Sequence, residues 1–511
     1  MSIEAHTYLI ADTGNMGEEC NTSFVREEAY KSRANPLFGL GRTELSLGEN
    51  AKSLVPSLVV YEDKVFKMWY QIRGLKGGQD NEAMCKEALM AYAESEDGIN
   101  FRPKILGQVE YCGNRKNNLL RFPEGQGKNP IRISGLFHDI CDAEYPYKCV
   151  YNRLGDGKDF DRGILARHPE HGAKQWWYVW GIGKSRDGLV WEPPAHSHNL
   201  ISANPEHARL HRTIDGGLVI SDQMTSPIGN WSWRNVRGWI TYDMETAHML
   251  PDHVFSLPEH FSRHYAEFGS REWDRNIWIQ PHVGLACIRK GNAVLALNGY
   301  LYGATGAETF AQTADIGLCI SDTGTFFREV WPHIPFIRRG ERGAWDFGMA
   351  AQVSIVDTET ETRFYYVGGD VGNFSSVYLP GMAFIQRDRY GYRIIKGHRN
   401  QAKSPKEAFF SLKPIRLPAE PDIRMNVSNT DEKKYFKVEL ADGNGNKIEG
   451  FSFDECQPVC KDGLYVKVRW KGNEVKSLSG RVVIVRIKLF SQMCGEVYFD
   501  SPRIYAIYAG R

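Results

Sequence analysis

No stretch of this sequence approaches the roughly 18 consecutive apolar residues that a membrane-crossing helix requires, so no helical span is expected. Neither sign of charge dominates: 63 basic residues stand against 62 acidic ones, a formal net charge of +1. No whole-chain field draws the protein to nucleic acid or to an anionic membrane, and neither is expected as a partner. The ten cysteines, at 20, 85, 112, 141, 149, 287, 319, 456, 460 and 494, are scattered rather than spaced as a disulfide framework. Cys456 and Cys460 are the closest pair, but no histidine or second cysteine pair stands at zinc-site spacing, so no metal is expected. The opening residues, MSIEAHTYLIADTGNMGEEC, lack a basic start followed by an apolar run. With the scattered thiols, this points to a reducing, cytoplasmic setting. A phosphate loop, a dinucleotide fingerprint and a nucleophilic serine or cysteine constellation are also missing, so no cofactor is expected. Helical periodicity sustained over three turns is absent as well.

What the sequence does contain is strand after short strand. Ser57 to Val60 is β-branched, Glu62-Asp63 supplies a turn, Val65 to Tyr70 alternates apolar with polar, and Ala88 to Ala93 makes a third run. The meander closes on Ser95-Glu96-Asp97-Gly98-Ile99-Asn100-Phe101, where Asp-Gly favours a tight turn and the aromatic can pack between sheets. One such unit cannot bury both faces, so recurrence matters. Ser185-Arg186-Asp187-Gly188-Leu189-Val190-Trp191 repeats the pattern, Ser321-Asp322-Thr323-Gly324-Thr325-Phe326-Phe327 is a weaker copy, and Arg387 to Tyr392 is a degenerate fourth. Radial repetition of roughly four-stranded sheets makes a propeller. Aromatics are 12% of the chain, including 13 tryptophans, which suits both sugar stacking and a β core.

In order along the chain, residues 1–50 read as a polar lead-in packing on a propeller, and 51–400 as five blades. After a proline-rich crossover, residues 401–511 read as a linker and a β-sandwich, with strand-like runs near Tyr435, Leu464, Val482 and Ile504. The expected fold class is therefore all-β, a five-bladed propeller followed by a small sandwich.

The ordered set Lys67-Met68-Trp69-Tyr70, Tyr92 to Gly98, Asn117-Asn118, Asp139 followed by Tyr147-Lys148, and Trp345-Asp346-Phe347-Gly348-Met349 resembles the five-bladed propellers related to glycoside hydrolase families 32 and 43. The tail, with Ile448 to Ser452, Asp454-Glu455-Cys456 and Val468 to Gly472, is similar to a sandwich that accompanies such propellers in bacterial proteins. The resemblance spans roughly residues 35–508 and implies a carbohydrate substrate in an axial cavity, attended by three carboxylates from the first three blades. Glycoside chemistry needs at least a pair, a proton donor on the leaving oxygen and an ionised group across the ring. Where the family has an aspartate before the proline of blade one, this chain has Val55 before Pro56, which can be neither base nor nucleophile.

On that resemblance His138-Asp139 stands at the start of blade two, with Asp139 as the sugar-orienting carboxylate. Asp215, before Gly216-Gly217, is the blade-three acid or else a turn aspartate, and Glu44 is the replacement for the missing base if the lead-in folds over the cavity. Gln280 and His282 on the way into blade four, and Trp345 and Asp346 opening blade five, are the expected substrate-binding residues; a backbone-bonded histidine and a core tryptophan are the alternatives. Asp142 and Glu144 read as loop surface, and Glu272 to Arg275 as a loop able to overhang the cavity mouth. The leading function is a glycoside hydrolase. A phosphorylase or glycosyl transferase on the same fold and a non-catalytic glycan- or protein-binding propeller are the alternatives, since fold does not settle function.

Overall fold

The computed structural model describes residues 6–11, 13–39, 53–73, 89–111, 113–122, 132–154, 178–192, 200–201, 208–228, 231–244, 247–250, 277–304, 313–331, 334–370, 377–397, 404–492 and 500–510. Among these the chain is β throughout, with 3-10 turns at Thr13–Asn15 and Val475–Leu478 as its helical elements.

The strand Val65–Arg73 shows why. Its sequence VFKMWYQIR alternates, which sends successive side chains to opposite faces. Phe66, Met68, Tyr70 and Ile72 enter one apolar cluster with Val356, Tyr365 and Met382, while Trp69 enters another with Leu136, Tyr147 and Trp191. Both faces are apolar because both are covered, each by a different part of the chain.

The same arrangement recurs. Antiparallel units form from Ser53–Glu62, Val65–Arg73, Leu89–Ser95 and Arg102–Pro103; from Arg132–His138, Tyr147–Leu154, Tyr178–Ser185 and Trp191–Glu192; and from Arg209–Arg212, Leu218–Ile228, Trp231–Thr241 and His248–Met249. Two more follow, Ile277–Lys290, Ala293–Ala304, Thr313–Ser321 and Arg328–Glu329, then Met349–Asp357, Glu361–Gly369 and Tyr378–Gln386, joined by one parallel bridge, Ala314 to Met349. The first strands of successive units touch in chain order, and the first strand of the last unit touches Ser53–Glu62, so these strands close a ring.

The repeated serine–aspartate–glycine turn is what joins neighbouring units. Ser95 Oγ, Ser185 Oγ and Ser321 Oγ accept the amides of Gly98 (3.0 Å), Gly188 (2.9 Å) and Gly324 (2.7 Å), glycines held at φ of 73°, 74° and 87°. That left-handed conformation suits glycine. Each glycine carbonyl then accepts from the preceding unit: Trp69 Nε1 to Gly188 (2.8 Å), His211 Nε2 to Gly324 (2.8 Å) and, across the closure, Tyr365 OH to Gly98 (3.0 Å). A further copy escapes the sequence pattern. Thr241 Oγ1 accepts the amide of Met244 at 2.9 Å and donates to Asp243 at 3.1 Å, with Met244 in the glycine's place at φ 63°.

The chain ends depart from the expected boundaries at 50 and 400. Tyr30–Lys31 pairs with Tyr378–Gln386 and supplies the outer strand of the last unit. Thr7–Leu9 and Thr22–Arg26 pair with Arg503–Tyr508 and Gly391–Ile395, and Met16–Cys20 pairs with Glu407–Leu412. The C-terminal module is thus two sheets built from both termini, sharing one apolar cluster that holds Tyr8 and Met16 together with Phe436, Trp470 and Ile487. The lead-in is not a strip laid on a preformed body, because its backbone groups complete the ladders of other strands.

The turns make a stability prediction. A Cβ on Gly188 would meet the Trp69 ring at 2.6 Å, whereas one on Gly216, at φ 94°, meets nothing within 4 Å. Gly188→Ala is expected to lose about 2–4 kcal/mol, combining left-handed strain with overpacking, and Gly216→Ala only about 1–2 kcal/mol. Urea denaturation of the two variants checks this; equal losses would contradict the latch.

Candidate functional site

The ring surrounds an axial cavity of about 270 Å³, walled by residues 57–61, 136–141, 209–212, 285–289 and 353–357, one stretch from the first strand of each unit and the residues directly following it, together with Val294 of the fourth unit's second strand. In four of the five units these stretches are the later parts of their strands, and 209–212 is the whole of the third unit's short first strand, so the cavity belongs to the end of the axis where the inner strands finish.

The carboxylates of its wall, Asp139 and Asp357, and Glu62 next to it are all committed. Asp139, 0% exposed, accepts from Lys148 Nζ at 2.8 Å and from Arg212 Nη2 at 2.6 Å and Nε at 3.0 Å. Burial alone would raise its pKa, but the Arg212 and Lys148 hydrogen bonds and charges outweigh it and hold the carboxyl below its ordinary value of 3.8. Lys148, also 0% exposed, reaches Asp142 at 2.9 Å and the Tyr145 carbonyl at 2.9 Å. Glu62 faces His138 Nε2 at 2.9 Å, Lys67 at 2.9 Å and the Tyr147 hydroxyl, and the His138 hydrogen bond is the largest reason its pKa lies far below the usual range. Asp357 is bound by buried Lys290, which also holds Asp388 at 2.8 Å. Burial opposes ionisation of Asp357, yet the charges of Lys290 and Arg387 keep its pKa low.

Asp139 and His138 both line the cavity. His138 ends the first strand of the second unit, Arg132–His138, Asp139 directly follows it, and both are tied to protein groups. Asp215 does not join them. It is exposed at the tip of the hairpin between Arg209–Arg212 and Leu218–Ile228, accepting from Thr213 Oγ1 at 2.5 Å and Tyr242 OH at 3.0 Å. The Thr213 hydrogen bond, first among several, lowers its pKa, the opposite of what a general acid needs. The turn aspartate is the reading the geometry favours.

Trp345 and Asp346 serve closure of the last unit. Asp346, 2% exposed, accepts from Lys31 Nζ at 2.5 Å and Tyr366 OH at 2.8 Å, which ties in the N-terminal strand. The indole of Trp345 lies in a slot left by Gly368 and Gly381, where added Cβ atoms would meet it at 2.3 and 2.6 Å. Neither residue lines the cavity. Gln280 and His282 fall within the strand Ile277–Lys290, with side chains outside the described residues, and Glu44 and Glu272 to Arg275 also lie outside them. Among the described residues no group of three or more His, Cys, Asp or Glu side chains is placed to hold a metal ion.

Arg209 was missed by sequence reasoning. It opens the strand Arg209–Arg212, lies 7% exposed in the cavity wall, and donates Nη1 to the Ser57 carbonyl at 2.6 Å across the axis. The alternation Arg-Leu-His-Arg before an Asp-Gly turn was its only local signal.

No protein-family model matches the sequence, and no curated protein matches it. Solved structures similar to this chain include a glycosyl hydrolase from Bacteroides ovatus, at 13% identity and TM-score 0.44, covering 72% of this chain and 95% of that one. Another is the β-1,2-mannobiose phosphorylase of Listeria innocua in complex with β-1,2-mannobiose, at 12% identity and TM-score 0.43, covering 70% and 96%. A third is the catalytic domain of a Coprinopsis cinerea GH62 α-L-arabinofuranosidase, at 10% identity and TM-score 0.38, covering 71% and 98%.

Asp139→Asn would leave Lys148 and Arg212 facing a neutral amide. A loss of about 3–5 kcal/mol is expected, so that any fall in activity accompanies loss of fold. Because the folded pKa lies below 3.8, this contribution is complete above roughly pH 5 and disappears as the pH falls through the ordinary value towards the lowered one. The difference between the denaturation curves of the two proteins should narrow as the pH falls below about 4; equal stability at neutral pH would contradict the role of Asp139 as partner of Lys148 and Arg212.

Proposed function

We propose that this protein is a carbohydrate-active enzyme on a five-bladed propeller with an appended sandwich, and that a glycoside occupies the axial channel at the end where the inner strands begin. The observation that carries this reading is the commitment of both carboxylates in the cavity wall, Asp139 and Asp357, and of Glu62 beside it, to a cation or a hydrogen-bond donor. Glycosyl transfer to water or phosphate needs one carboxyl group that holds a proton near neutral pH. Glu62, Asp139 and Asp357 are all pushed the other way. The described strands bounding residues 74–88, 155–177 and 305–312 finish and start at the opposite end, as does the strand following 251–276. Those connections carry acidic residues in sequence, among them Glu259, Glu267, Glu272 and Asp274 in 251–276. Glu44, just before the first inner strand, keeps its place as the candidate for the base absent at Val55.

Hydrolysis is the leading reaction, and phosphorolysis the alternative. A panel of oligosaccharides and aryl glycosides, each incubated with and without inorganic phosphate, separates them. Free reducing sugar in both conditions identifies a hydrolase; a sugar 1-phosphate formed only with phosphate identifies a phosphorylase. Glu44→Gln is expected to reduce turnover on the substrate so found by about 10²- to 10⁴-fold with unfolding unchanged. Saturable glycan binding without product across the panel would instead support the non-catalytic reading.

A further inference from the structure

We propose that the axial cavity binds one small oxyanion, with Arg209 as its principal ligand. This does not rest on the glycoside reading, since the cavity and its cation are the same whatever is transformed elsewhere on the axis.

Each carboxylate in the wall is matched: Asp139 with Lys148 and Arg212, and Asp357 with Lys290. Arg209 is not, for among the described residues no carboxylate lies within ion-pair distance of it, and its Nη1 donates to the neutral carbonyl of Ser57. Burial pushes its pKa down to about 10, with no neighbouring charge to offset that shift, and still leaves it protonated near neutral pH. A buried ion without a counter-ion is costly, and the cost is relieved when an anion enters beside it. A guanidinium offers five N–H groups in a planar fork, and only Nη1 is used by Ser57. The remainder matches an oxyanion that accepts two parallel hydrogen bonds.

The cavity has the size and the access for such a ligand. About 270 Å³ is ample for a phosphate-sized ion with attendant water. Exposed Ile140, Cys141 and Arg289 form the rim. Arg289 donates Nε to the Gly291 carbonyl at 3.3 Å and makes no ion pair among the described residues, so a second cation stands at the mouth where an anion would enter.

Equilibrium dialysis of the intact protein against radiolabelled inorganic phosphate, at fixed ionic strength, tests the site directly. One saturable phosphate per chain is expected, competed by sulfate but not by chloride. Arg209→Lys, which keeps the charge and loses the fork, should weaken binding at least tenfold by analogy with other bidentate sites, and Arg209→Met should abolish it. Arg186→Gln, an exposed substitution away from the cavity, should leave it unchanged. Displacement of the bound phosphate by a hexose 1-phosphate would assign the site to a phosphate ester, and failure to displace would assign it to the free ion; both retain the site. Absence of saturable binding to the native protein overturns the proposal without reference to any variant, and so does undiminished binding to folded Arg209→Met.

Discussion

The structure depends on a hydrogen bond made between units, from a buried side chain of one to the carbonyl of the turn glycine in the next. Left-handed geometry at Gly98, Gly188 and Gly324 lets the turn close on its own serine. The carbonyl then faces the neighbouring sheet, where an unpaired acceptor would cost about 1–3 kcal/mol. Trp69, His211 and Tyr365 meet that need. The bond from Tyr365 to Gly98 has a second consequence, since it joins the last unit to the first across 267 residues. Closing so long a loop carries an entropic penalty, but one that grows only logarithmically with length. The clusters shared between adjacent units supply the apolar burial that offsets it.

Once the ring is closed, the ends of the inner strands converge and their charged residues must find partners. Glu62 reaches the second unit through His138 and Tyr147, Asp139 reaches the third through Arg212, and Asp357 reaches back to the fourth through Lys290. Carboxylates placed this way stiffen the end of the barrel and are correspondingly poor proton donors. The arrangement separates one end of the axis, given to ion pairs and the unmatched Arg209, from the end where the inner strands begin. Lys290 extends the same network to Asp388, which accepts from Tyr508 of the C-terminal module at 2.9 Å.

Much of this was visible in the one-dimensional pattern, though not evenly. Ser95, Ser185 and Ser321 announced their turns because serine, aspartate and glycine each have a local backbone reason to be there. Thr241 to Met244 forms the same turn unannounced: methionine in a left-handed conformation has no local preference for it and is held by the surrounding structure. The pairing of Tyr30–Lys31 with the last unit was hidden for a different reason, since a two-residue strand has too short a pattern to show alternation. Trp345 and Asp346 looked equally suited to a sugar and to a core until Gly368, Gly381 and Lys31 were brought beside them.

By itself the sequence determined an all-β chain of repeated meanders, without helix-forming periodicity, because alternation and turn chemistry act over a few residues. It determined too that Val55 can be neither base nor nucleophile. Which acids are free to act was decided only by the tertiary structure. Asp139 and Asp215 look alike in the sequence, each next to a strand, yet one is buried between Lys148 and Arg212 and the other stands exposed on a hairpin. Their difference lies in partners supplied by distant parts of the chain. The protonation of a carboxylate follows from burial and nearby charge, and both are properties of the assembled ring.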